Sequence, residues 1–134
     1  MNILIVEDSR NRIRKFYWLF GQYQLSVVNY AEGAIEMIKN QCYDIISLDY
    51  DLREGQTKGE LFTRFWIENE DLTCYLRNQN EKPVVVIHSL NTTGANSMAN
   101  HLNLIGLNAF VIEFFELMKM PLSKLGQIIG LNFS

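Results

Sequence analysis

Five short apolar runs, each followed by a stretch of helical periodicity, constrain this 134-residue chain more than any other feature. The runs fall at 3–6, 24–28, 44–48, 84–87 and 108–112; ILIV and VVVI are wholly aliphatic. A strand with one face in water alternates apolar with polar residues, so an unbroken aliphatic run predicts a strand covered on both faces. Between the runs, Ser9 is placed to cap a helix reaching about Phe20, with Ile13, Phe16, Tyr17 and Phe20 at helical spacing. A second helix is expected over 31–40, with Ala34, Ile35 and Ile38 inward. A third follows a polar loop at 50–58 and carries Leu61, Phe62, Phe65 and Trp66. A fourth is expected over 96–105, and Pro121 suits the first position of a closing helix to about Ile129. Strands alternating with helices predict a doubly wound α/β domain around a five-stranded parallel sheet, spanning residues 1–134 as one unit.

Bulk properties remove several alternatives. The chain is 48% hydrophobic and 20% charged, the balance of a globular protein. A net charge of −3 argues against a nonspecific grip on duplex DNA. No apolar run approaches membrane-spanning length, and the N-terminal run lacks the basic flank of a signal peptide, so a cytoplasmic protein with no membrane role is expected. Cys42 and Cys74 have no ligand-like spacing, which argues against structural zinc and a disulfide framework.

In doubly wound sheets, ligands bind beyond the carboxyl ends of the strands. The residues falling there are Glu7 and Asp8 after the first run and Asp49 and Asp51 after the third. His88, Ser89 and Asn91 follow the fourth run, and Glu113 follows the fifth. Neighbouring carboxylates repel one another unless a cation offsets them. Hard oxygen donors of this kind suit Mg2+ or Mn2+, which makes Glu7, Asp8 and Asp49 the expected metal ligands. Asp49, Asp51 and His88 are the candidates for the chemistry itself, with Asp51 or His88 moving protons. Ser89, Asn91 and Arg10 are the candidates for holding phosphate oxygens, Arg10 because it follows the acid pair at the start of the first helix. Arg12 and Lys15 read as an exposed face pairing with local acids. The plainer alternatives are that Asp8 caps the first helix and that His88 packs beneath its loop. His88 and Ser89 are adjacent and tend to point to opposite sides of a strand, so a hydrolase triad is not supported.

These segments together resemble a two-component receiver domain of the flavodoxin-like type. ILIVEDS resembles the first receiver strand with its metal-binding acid pair. Asp49 falls at the phospho-accepting position and Ser89 at the switch hydroxyl. Receivers also carry a Lys after strand five, and here FVIEFF places Glu113 near that position. SLDYDL, TKGE and VIHSLNTTGANSM resemble more closely the receiver-like family described as cyclic-phosphate processing, through Leu48, Asp49, Asp51, Leu52, Thr57, Gly59, His88, Ser89, Asn91 and Gly94. The resemblance implies a metal-dependent phosphoesterase acting on a cyclic or terminal phosphate of a nucleotide or RNA end. The alternative it implies is a stand-alone atypical receiver that signals through a protein partner.

Overall fold

The structure, a computed structural model, describes residues 1–50, 82–89 and 92–133. The expected third helix, with Phe62, Phe65 and Trp66, and the positions Asp51, Leu52, Thr57, Gly59 and Asn91 lie outside the described residues. Five strands form one parallel sheet: β1 (Asn2–Val6), β2 (Gln24–Val28), β3 (Ile45–Leu48), β4 (Val84–Ile87) and β5 (Asn108–Val111). Their order across the sheet is β2-β1-β3-β4-β5, the doubly wound order expected of a flavodoxin-like fold. The order reverses beside β1, so the carboxyl ends of β1 and β3 border the crevice where such sheets bind ligands.

Alternation along the strands divides the core into two layers. Leu4, Val6, Ile46, Leu48, Val85 and Ile87 face α2 (Ala31–Asn40) and α3 (Thr92–Leu104), where Ala34, Ile38, Met98 and Leu102 are buried against them. Ile3, Ile5, Ile45, Val84 and Val86 face the opposite way. There they meet Phe16 and Phe20 of α1 (Arg10–Phe20), Phe114 and Leu117 of α4 (Phe114–Lys119), and Leu125 and Ile129 of α5 (Leu122–Ile129). Burial of both sheet faces explains the unbroken aliphatic runs, each large side chain contributing about 1.5–3 kcal/mol.

The strands follow the sequence to within one residue, and the described helices show three main differences. α3 begins four residues before the expected start at 96. Pro121 caps α5 from outside, and Leu122 is the first helical residue. The third difference is α4, a six-residue helix absent from the expectation. Its N-cap is Glu113, whose carboxylate accepts from the backbone N–H groups of Phe115 at 3.0 Å and Glu116 at 3.1 Å. That bonding satisfies two donors a short helix would otherwise leave open. Among the described residues, no helix is long and apolar enough to cross a membrane.

Candidate functional site

The strand register carries the site residues to one level. Val6 pairs with Leu48, and Leu48 with Ile87, so the next residues along are Glu7, Asp49 and His88. Their backbones extend the ladder by one step: Asp49 N–H donates to Val6 O at 3.0 Å and His88 N–H to Leu48 O at 2.9 Å. The alternation that sends Ile3 and Ile5 toward α1 sends Glu7 the same way, and likewise Ser47 and Asp49 after Ile45. Four polar side chains of three strands thus gather at the edge of an apolar layer.

Glu7 is the hub. Its Oε2 accepts from the backbone N–H groups of Asp8 at 2.9 Å and Ser9 at 3.0 Å, which closes the β1–α1 turn. Its Oε1 meets His88 Nε2 and Arg12 Nε, both at 3.1 Å. The side chain has no exposure. Burial pushes its carboxyl pKa up from the ordinary range, and the Ser9 amide, the Arg12 guanidinium and the Asp8 amide pull against that rise.

Arg12 spans two carboxylates. Besides Glu7, its Nη2 lies 3.3 Å from Asp49 Oδ2, and Asp49 is only 1% exposed. Its helical position places it there: Ser9 Oγ accepts from Arg12 N–H at the first turn of α1, which stands directly over the ends of β1 and β3. Helix position predicts for Arg12 an exposed side chain pairing with local acids; the structure keeps the pairing but not the exposure, since Arg12 is 19% exposed and its guanidinium reaches the buried Glu7 and Asp49. Arg10, the expected phosphate ligand, is exposed at the start of the same helix.

His88 differs from the proton carrier expected of it. It is completely buried, edge-on to Phe16 with centroids 4.6 Å apart and tilted against Phe114 at 6.3 Å. Its Nδ1 lies 2.6 Å from Ser47 Oγ and its Nε2 lies 3.1 Å from Glu7 Oε1. A carboxylate oxygen accepts, so Nε2 is assigned the proton and Nδ1 accepts from the Ser47 hydroxyl. Desolvation lowers the His88 pKa to about 3, with Asp49 opposing the shift and Arg12 adding to it. At neutral pH it is an uncharged ring that orients Glu7. Ser89, the next residue, is buried at the end of β4.

Glu7, Asp8 and Asp49 each present a carboxylate oxygen within 4.8 Å of the others. Three hard oxygen donors at that separation, two of them on buried residues, fit Mg2+ or Mn2+ with further positions filled by water or phosphate. Beside them lies a cleft of about 440 Å³ between α1 and α4, lined by residues that include Asp8, Arg12, Lys15 and Phe115. The carboxylate of Glu113, near the position where receivers carry a lysine, is bonded to the α4 backbone.

Behind the site, Gly94 of α3 lies against Tyr50, the residue after Asp49. A Cβ at Gly94 would stand 2.3 Å from two carbons of the Tyr50 ring. This glycine of the VIHSLNTTGANSM segment therefore permits the close approach of α3 to the Asp49 turn.

Comparison with known proteins gives a consistent picture. The sequence matches the family model of the cyclic-phosphate processing receiver domain over residues 2–104. Similar solved structures include a CheY-like response regulator receiver domain from Methylobacillus flagellatus (19% identity, 96% of this chain and 98% of that one, TM-score 0.64). The response regulatory domain of mrkE from Klebsiella pneumoniae is also similar (17% identity, 97% and 98% coverage, TM-score 0.60), as is a response regulator from Hahella chejuensis (17% identity, 96% and 92% coverage, TM-score 0.60). At these identities the structural likeness shows the fold alone. No curated protein sequence matches the chain significantly.

Proposed function

Because the chain belongs to the cyclic-phosphate processing receiver domain family, we propose that it is a metal-dependent phosphoesterase acting on a cyclic or terminal phosphate of a nucleotide or RNA end. The observation that carries this reading is the convergence of Glu7, Asp8 and Asp49 within 4.8 Å beside a cleft that also presents Arg12 and Lys15. An acidic cluster next to basic side chains is the arrangement needed to hold a divalent cation and a phosphate side by side. Mg2+ or Mn2+ held by those three carboxylates would supply positive charge to the phosphoryl oxygens.

The chain's own residues divide the remaining work. Glu7 is held by His88 and by two backbone amides, which fixes its oxygens without a mobile proton. Arg12 and Ser89 are proposed to bind phosphate oxygens, together with Asn91. Asp51 is proposed as the proton-transfer group, because His88 is buried and neutral. The test is incubation of purified protein with 2′,3′-cyclic and 3′,5′-cyclic nucleotides and Mn2+, followed by phosphorus NMR. Ring opening that disappears in Asp49→Ala is expected; no turnover of any of them by protein shown to bind Mn2+ would overturn the reading.

A second reading is supported by one contact. Arg12 Nη2 stands 3.3 Å from Asp49 Oδ2, so a cation accompanies the carboxylate that the resemblance puts at the phospho-accepting position, although Glu113 stands near where receivers carry a lysine. On this reading Asp49 takes a phosphoryl group from an acyl phosphate donor and the protein signals through a partner. A stable mass increase with acetyl phosphate, absent in Asp49→Asn, would select it over the phosphoesterase.

A further inference from the structure

The guanidinium of Arg12 occupies carboxylate oxygens that a divalent cation would also require. Its Nε is 3.1 Å from Glu7 Oε1 and its Nη2 is 3.3 Å from Asp49 Oδ2, and both acids belong to the three-carboxylate cluster. Glu7 has no uncommitted oxygen. Oε2 accepts from two backbone amides, and Oε1 is shared by Arg12 and His88. The amides and the buried imidazole are fixed by the fold, whereas Arg12 is a long, partly exposed side chain. Arg12 is therefore the donor that yields when a stronger positive charge arrives.

The structure also supplies a place for it to go. The Arg12 guanidinium carbon lies 5.7 Å from the Phe114 ring centroid, on the wall of the α1–α4 cleft. Lys15 Nζ lies 5.9 Å from the same ring and 5.7 Å from the ring of Phe115. Two cationic side chains thus border one cleft, with Ser9 and Asn11 adding polar groups to its lining. Asp8, a member of the acidic cluster, forms the boundary between the two charge regions. A guanidinium makes two parallel hydrogen bonds to a phosphate as readily as to carboxylates.

We propose that Arg12 is an exchangeable counter-ion: it bridges Glu7 and Asp49 in the cation-free protein and transfers to a phosphate group in the α1–α4 cleft when a divalent cation takes those carboxylates. The inference rests on the cation reading given above and adds to it a phosphate subsite and an order of charge partners. It has a thermodynamic consequence. A cation that displaces Arg12 leaves a guanidinium in need of an anion, and an anion that captures Arg12 clears carboxylates for a cation. Each ligand then tightens the other by the same factor.

The experiment is titration of the full chain with Mn2+, read by electron paramagnetic resonance, in the presence and absence of millimolar inorganic phosphate and corrected for Mn2+–phosphate complexes in solution. In the native sequence, phosphate is expected to tighten Mn2+ by at least about 5-fold, the lower range of ordinary site coupling. Arg12→Gln is expected to tighten Mn2+ about 10-fold without phosphate and to reduce the phosphate enhancement. Arg14→Gln makes the same change of charge at an exposed position of α1, and its expected change stays within about 2-fold. Arg12→Lys keeps the charge but loses the two-carboxylate bridge, so an intermediate shift is expected, and it carries the test if the Gln variant fails to fold. If the native protein binds Mn2+ while Arg12→Gln binds it equally, more weakly, or no better than Arg14→Gln does, the exchange is overturned and the cation reading stands. If neither the native protein nor any Arg12 variant binds Mn2+ with or without phosphate, the cation reading falls and the exchange falls with it.

Discussion

His88 is asked to be uncharged by its surroundings, and this makes stability depend on pH. The unfolded chain takes up a proton near the ordinary value of 6.5, while the folded protein resists until about 3. The stabilisation from keeping His88 neutral is therefore complete above the unfolded value and drains as pH falls through that window, at up to ~1.4 kcal/mol per pH unit. Urea midpoints between neutral pH and pH 4 should fall more steeply for the native protein than for His88→Gln; equal slopes would show that His88 is not the titrating group. Glu7 carries the opposite vulnerability. Truncation to Ala would strand the His88 N–H and remove one of the two carboxylates that Arg12 bridges, so a loss of about 2–4 kcal/mol in denaturant unfolding is expected. At this scale the sequence pointed to the three acids that cluster, Glu7, Asp8 and Asp49, but not to the guanidinium beside them. Spacing alone leaves Arg12 on an outer helix face; the packing of the first turn of α1 over two strand ends, a tertiary fact, brings it to Asp49.

Among the elements, the strands were legible because both faces are buried, and burial on both faces writes itself as aliphatic runs. α4 was not legible. A single polar residue separates FVI from FFELMK, so the apolar signal passes almost unbroken from strand to helix. Its start is marked only by Glu113, which reads equally well as one more strand-end acid. Because both Glu113 oxygens accept from the α4 backbone, Glu113→Ala should cost about 1 kcal/mol and weaken the α4 wall of the cleft. Hydrogen exchange at the Phe115 and Glu116 amides would register the change before global unfolding does. The α3 contact makes a second element-level prediction. Gly94→Ala places a methyl group against the Tyr50 ring, where there is no room for it, and should cost about 1–3 kcal/mol. Replacing Tyr50 with a smaller apolar residue in the same chain should recover part of that loss; no recovery would place the strain elsewhere.

For the molecule as a whole, the acidic end of the sheet stands on the two apolar layers that cover its faces. A cation that binds only the folded state raises apparent stability with the logarithm of its excess over the dissociation constant. At about ten times its dissociation constant Mg2+ should add about 1.4 kcal/mol, seen as a higher melting temperature, and Asp8→Ala should remove most of that response. A native protein whose melting temperature ignores both Mg2+ and Mn2+ would argue against the site. The architecture was readable from the alternation of strands and helices, and so was the edge at which to look. The division of labour within the site was not, because Asp49, Arg12, Glu7 and His88 are far apart in sequence and meet only through strand register and helix packing.

The thread from Ser47 through His88 to Glu7 also equips this protein with its own indicator. One imidazole, sealed among phenylalanines, touches the hub carboxylate directly, so its ring nitrogen resonances should move whenever the charge across that carboxylate is rearranged. Occupancy at the sheet's edge would be audible from inside the core, with no label attached.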